Sequence, residues 1–127
     1  MKNRITILVL FVSLVFFFFG SRVIAQDPTK VDAKHYKVEF ENDQVRVLRV
    51  TYGPNEKSVM HEHPDSVAVF LTDMHVKFNL PDGTSQVAEQ KAGSTMFTPG
   101  GKHLPENLGD KPLELILVEL KTKASPK

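Results

Sequence analysis

The sequence predicts one all-β domain, a sandwich or barrel of short antiparallel strands. Turn signals recur about every 8–12 residues, the spacing that such folds show. Between the turns, apolar and polar residues alternate, as in Tyr36–Glu41, or β-branched residues dominate, as in Val45–Tyr52. The helix-like segment Leu113–Leu120 follows Pro112 and is short, so we interpret it as a buried strand, apolar on both faces.

Turn residues separate the predicted strands from one another. Asn42-Asp43 closes the first hairpin, and Pro81-Asp82-Gly83-Thr84 forms a tight turn because proline presets φ and glycine accepts a positive φ. The predicted strands, in chain order, are 36–41, 45–52, 66–72, 75–80, 85–90, 94–98, 103–108 and 113–121.

The N-terminal residues differ from the rest of the chain. Lys2 and Arg4 precede the apolar run Ile5–Phe19, and Gly20-Ser21 and then Ala25 follow it. This order is typical of a secretory signal peptide, and the run is shorter than the roughly 20 residues of a membrane span. We therefore predict a signal peptide at 1–25, cleaved after Ala25, and an exported protein, periplasmic or secreted. An uncleaved anchor is the alternative, which Arg22 favours.

The remaining segments are a flexible leader at 26–34, a domain at 35–121 and a C-terminal tail at 122–127. Residues 26–127 carry a small negative charge without a basic stripe, so we expect no nucleic-acid binding and no membrane binding after signal removal. The chain has no cysteine, which excludes a thiolate nucleophile, cysteine-bound zinc and iron–sulfur clusters.

Two histidines two residues apart indicate a metal site. His61 and His63 lie at i and i+2, so on a strand both imidazoles point to one face while Glu62 points away. Two ordinary surface or core histidines are the alternative for such a pair. His35 and His75 are expected to be non-functional surface residues.

A second segment strengthens the metal interpretation. Together with Gly53 and His61-Glu62-His63, it resembles the two motifs of the cupin family, across about residues 36–121. The positions that match the second motif are Gly93, Pro99, Gly101, His103 and Asn107. The family's glutamate ligand is missing, because its position falls at Val67 or Ala68. Asp65 is the nearest substitute, although its Pro-Asp-Ser setting favours a turn residue.

The resemblance implies a cupin-type double-stranded β-helix, a jelly-roll barrel of short antiparallel strands. It implies a divalent transition metal (Fe, Zn, Ni, Mn or Cu) at His61, His63 and His103, as in three-histidine cupins, which include thiol dioxygenases. Nitrogen ligands suit Zn, Fe, Ni or Cu better than Mg or Ca. The expected contacts to a small-molecule ligand are Met60, Phe70, Phe97 and Asn107, although Asn107 equally fits a turn cap.

Three functions remain open from the sequence. The first is a metal-dependent enzyme, of dioxygenase or isomerase type, that uses O2 or water on a small molecule. The acids near its site are Glu62, Asp65 and Glu106, and none is assigned a catalytic role. The second is a non-catalytic cupin module that binds a small molecule without metal. The third is an interaction domain that forms a homodimer through strand edges.

Overall fold

A computed structural model describes residues 26–122 as one short helix and nine strands. The predicted signal peptide and all of the predicted tail except Thr122 lie outside the described residues. The elements are α1 Pro28–Val31, β1 Tyr36–Glu41, β2 Val45–Tyr52, β3 His61–His63, β4 Ser66–Phe70, β5 Met74–Asn79, β6 Ser85–Gln90, β7 Thr95–Thr98, β8 Gly101–Asn107 and β9 Leu113–Leu120. None of the helical structure within 26–122 has the length or apolar character that a bilayer crossing needs.

The strands form two antiparallel sheets that face each other. One has the order β1-β2-β9-β4-β7, and the other has the order β3-β8-β5-β6. Apolar side chains from both sheets are buried between them, among them Leu48, Phe70 and Val76. The predicted all-β jelly roll is therefore confirmed, with β3 added to the predicted strands.

The strand interpretation of the last apolar segment is also confirmed. β9 lies inside the larger sheet, where it pairs with β2 along its whole length and with β4 on its other side. A strand paired on both edges satisfies its backbone hydrogen bonds, which explains why an eight-residue apolar run does not need to form a helix. The turn before β6 also forms as expected, with Gly83 at φ 85°.

The segment 26–34 is not the flexible leader that its polar composition suggests. Asp27 caps α1 by accepting a hydrogen bond from the Thr29 amide, and the buried Pro28 occupies the first turn. A proline there is preorganised for a helix, and the capping carboxylate satisfies an otherwise free amide. We therefore correct the expectation: this segment is an ordered part of the domain.

Two phenylalanines test the assignment of inner and outer faces. Phe70 is 1% exposed between the sheets, whereas Phe97 is 56% exposed. We expect Phe70→Ala to lower the free energy of unfolding by about 3–5 kcal/mol, because it removes a ring from a packed core. Phe97→Ala should change it by no more than about 0.5 kcal/mol, as for an ordinary surface position. Urea unfolding of both variants measures this, and equal losses would contradict the assigned faces.

Candidate metal centre

Three imidazoles meet at one end of the space between the sheets. β3 pairs with β8 so that His61 lies directly opposite His103, and His63 lies opposite Gly101. Each imidazole offers one nitrogen, and these three nitrogens lie within 4.8 Å of one another. The rings stand edge to face, with centroids 4.8–5.2 Å apart. The i, i+2 spacing in a strand thus brings His61 and His63 to the same face, as predicted.

Hydrogen bonds behind the rings of His61 and His63 set their orientation. His61 donates from Nδ1 to the Val59 carbonyl at 2.8 Å, and His63 donates from Nδ1 to Glu119 Oε1 at 2.7 Å. Their Nε2 atoms then face each other at 3.0 Å. Neutral imidazoles that donate through Nδ1 present lone pairs at Nε2. Two lone pairs at this distance need a cation or a shared proton between them.

The third imidazole, His103, has a buried nitrogen without a hydrogen-bond partner in the described residues. Its Nε2 is buried and makes no hydrogen bond within the described part of the chain, while Phe78 stacks on the ring with centroids 5.1 Å apart. Leaving a buried polar atom unpaired costs about 1–3 kcal/mol, which a bound metal would offset. This orphaned nitrogen and the facing lone pairs fit a metal held by three imidazoles.

The protonation of these histidines also suits metal binding. Burial and the neighbouring His63 lower the pKa of His61 to about 4. Burial, His63 and His61 lower the pKa of His103 to about 3. Both rings are therefore neutral near pH 7, which is the form that ligates metals.

No carboxylate joins the three imidazoles in the described residues. Val67 and Ala68 occupy the positions where the cupin pattern has glutamate. Asp65 accepts a hydrogen bond from the Gly100 amide at 2.7 Å and so holds the loop before β8, the turn role that its sequence favours. That loop packs closely, because a Cβ on Gly100 would lie 3.1 Å from the His63 carbonyl oxygen. The loop thus ties β3 to the start of β8.

Sequence reasoning missed Glu119, the carboxylate behind His63. Glu119 is 2% exposed, and its Oε2 accepts a hydrogen bond from Arg46 Nε at 2.6 Å. Burial raises the pKa of Glu119, but hydrogen bonds from His63 and Arg46 outweigh this effect, so the net pKa is lowered and the group stays ionised. The available signal was one of the two glutamates in a mostly apolar strand, Glu114 and Glu119.

His35 is a second correction, because it is buried rather than at the surface. It contacts Asp32 at 2.7 Å and Glu56 at 2.5 Å, and its ring stacks on Tyr52. Hydrogen bonds from His35 and then Lys34 lower the pKa of Glu56 to about 2. Ser58 donates to Asp32 at 2.5 Å and lies 3.3 Å from His61 Nδ1. His75 is exposed, as expected.

A cavity of about 370 Å³ opens between the sheets beside the imidazoles. His63 and His103 line one end of it, and most of its wall is apolar. Tyr36 and Tyr52 also line it, with their hydroxyls 2.5 Å apart. Burial raises the pKa of both tyrosines, so both keep their phenolic protons near pH 7. The cavity thus offers an apolar space with a few polar groups near the imidazoles.

Of the four expected ligand contacts, only Phe70 lines this cavity. Phe97 is on the outer face, because strand alternation turns its neighbour Met96 inward instead. Met60 likewise lies outside the cavity wall, next to the inward-facing His61. Asn107 is buried, but its side chain bonds Gly53, Gly109 and Lys111. Of the two roles considered for Asn107, ligand contact and turn cap, these bonds favour the turn cap.

Solved structures that share this architecture include cupins. A cupin domain from Bordetella pertussis Tohama I is 25% identical, with a TM-score of 0.64 over 68% of this chain and 92% of its own. A cupin family protein with a double-stranded β-helix fold from Methanocaldococcus jannaschii is 18% identical, with a TM-score of 0.52 over 70% of this chain and 83% of its own. A polyketide cyclase from Streptomyces resistomycificus is 18% identical, with a TM-score of 0.51 over 67% of this chain and 63% of its own.

Sequence comparisons add nothing to this fold assignment. No protein-family model matches the chain, and no curated protein matches it.

The pKa of His103 predicts how the metal-free protein responds to acid. Its folded-state pKa of about 3 lies below the ordinary 6.5, so the folded state resists protonation. Its contribution to stability is present above pH 6.5 and is lost as the pH falls towards 3. Between pH 6.5 and 4.5, metal-free wild type should lose up to about 1.4 kcal/mol per pH unit more than His103→Gln.

Urea unfolding in the presence of a chelator measures these slopes. His75→Gln is the control, since His75 is exposed and should leave the wild-type slope unchanged. Identical slopes for wild type and His103→Gln would contradict the burial of a neutral His103.

Proposed function

We propose that this chain, a cupin by fold, binds a divalent transition metal through His61, His63 and His103 and uses it on a small, largely apolar molecule held between the sheets. One observation carries the proposal. Three imidazole nitrogens converge beside an apolar cavity, and the buried Nε2 of His103 has no partner in the described residues. The predicted signal peptide makes an exported location, periplasmic or secreted, part of the proposal.

The ligand set restricts the metal to a class. Three imidazole nitrogens suit Zn, Fe, Ni or Cu better than Ca or Mg, which prefer oxygen. Such an ion, when bound with open positions, supplies a Lewis acid, an activated water or, as iron, a site for O2. His61 and His63 are held for ligation by their Nδ1 hydrogen bonds, and Phe78 holds the ring of His103.

The cavity wall indicates what kind of molecule enters. Its residues are mostly aliphatic, aromatic and methionine side chains, which favour an apolar body and exclude water. Because burial keeps Tyr36 and Tyr52 protonated, their paired hydroxyls offer polar partners for a substrate oxygen at the cavity wall. We therefore infer a small apolar molecule with one oxygen-bearing end directed at the histidines.

The lack of an available carboxylate at the cavity wall, among the described residues, favours O2 or water chemistry over proton transfer to and from the substrate. No Asp or Glu lines the cavity among the described residues. Asp65 is engaged by Gly100, and Glu119 is engaged by His63 and Arg46. An isomerase that moves protons would need a general base within hydrogen-bond reach of its substrate. The cyclase neighbour is compatible with a catalytic role for such a barrel.

A non-catalytic binding module is the second candidate. The missing carboxylate favours it, since the site then lacks a ligand that the cupin pattern supplies. In that case the apolar cavity would take up its ligand in metal-free protein, and added metal would not alter the ligand.

Metal analysis of the purified protein tests the proposal. After incubation with Zn²⁺ and desalting, wild type should retain about one ion per chain, whereas His61→Ala and His103→Ala should each retain less than about 0.1. His75→Ala is the matched control and should equal wild type, because His75 lies outside the three-imidazole group. Full retention by His103→Ala, or no retention by wild type, would contradict the proposed site.

A further inference from the structure

We propose that the segment Gln26–His35 supports the metal centre, with Asp27, Arg46 and Glu119 as positioning residues for His63. Docking of this segment and binding of the metal then stabilise each other. The inference rests on the proposed function, since it assumes a metal at the three histidines.

A continuous line of buried or half-buried hydrogen bonds joins the segment to His63. His63 donates from Nδ1 to one oxygen of Glu119, and Arg46 Nε donates to the other. Arg46 Nη1 donates in turn to Asp27 Oδ2 at 2.6 Å. Asp27 uses its second oxygen to cap α1 through Thr29. The Asp27 carboxylate thus caps α1 and also bonds Arg46, which in turn bonds Glu119.

A second set of contacts seats the same segment beside His61. The Glu62 amide, between the two ligands, donates to the Gln26 carbonyl at 2.9 Å. Asp32 accepts from Ser58, whose hydroxyl lies 3.3 Å from His61 Nδ1. His35 holds Asp32 from the other side. The segment therefore reaches both histidines of β3 from behind, away from the cavity.

The coupling follows from the length and position of the helix. Four residues are too few for a helix that is stable alone, so α1 depends on its contacts with the barrel. Partners of a ligand's second ring nitrogen typically change metal affinity 10- to 100-fold when they are removed. Whatever the docked segment adds to metal affinity, the metal must add to docking by the same factor.

Zinc affinity of conservative variants tests the first half of the inference. Glu119→Gln keeps the side-chain shape and should weaken Zn²⁺ binding about 10- to 100-fold. Asp27→Asn keeps the helix cap, since asparagine caps as well as aspartate, but loses the charge that faces Arg46. It should weaken binding about three- to tenfold, because it acts through two further groups. Competition with a chromophoric chelator measures the Kd values.

Two matched controls separate positioning from general stability. Lys30→Ala changes an exposed residue of the same helix and should bind Zn²⁺ as wild type does. Thr72→Val removes a hydrogen bond to the Glu114 amide, near the opposite end of β9 from Glu119, and should lower stability without changing the Kd. The Co²⁺ absorption spectrum should change in Glu119→Gln and not in Thr72→Val.

Hydrogen exchange tests whether bound metal in turn stabilises the docked segment. Saturating Zn²⁺ should slow exchange of the Lys30, Val31 and Asp32 amides in wild type, because the metal stabilises the docked segment as much as docking stabilises the bound metal. The inference is overturned if Asp27→Asn binds Zn²⁺ as wild type does, if Thr72→Val weakens binding equally, or if exchange is unaffected by Zn²⁺. If wild type takes up no Zn²⁺, the proposed function itself fails, and this inference fails with it.

Discussion

Two imidazole nitrogens, Nε2 of His61 and Nε2 of His63, are held 3.0 Å apart inside the β-barrel, and the polar groups behind them fix this spacing. Each ring is committed by its Nδ1 hydrogen bond, His61 to a backbone carbonyl and His63 to Glu119. His103 lies directly opposite His61, and its buried Nε2 has no hydrogen-bond partner among the described residues. Such an arrangement is costly without a cation, because buried lone pairs need a partner.

Polar groups lie on one side of the histidines, and the apolar cavity lies on the other. Glu119 accepts from His63 Nδ1 and the Val59 carbonyl accepts from His61 Nδ1, while Arg46 supports Glu119 from behind. The cavity on the other side is largely apolar and is reached by His63 and His103. A ligand in the cavity therefore approaches His63 and His103 from the apolar side, where electrostatic interactions are strong.

Local patterns in the sequence predicted the barrel and the histidines, because both depend on near neighbours. Alternation placed the strands, and the i, i+2 spacing put His61 and His63 on one face. The partners were not predictable this way. Glu119 meets His63 across 56 positions of sequence, through pairings that only the assembled sheet sets. Phe97 was predicted to contact the ligand but lies on the outer face. Its position near the site in the sequence does not show which face of the strand carries its side chain.

X-ray absorption at the edge of a bound metal reports its ligand atoms directly. For Zn²⁺-loaded protein, we expect a first shell with three imidazole nitrogens at about 2.0–2.1 Å, with multiple-scattering features from the rings. His103→Ala should lose one imidazole or lose the metal. A first shell of oxygen alone, or one imidazole with the remainder oxygen, would contradict a centre built on His61, His63 and His103.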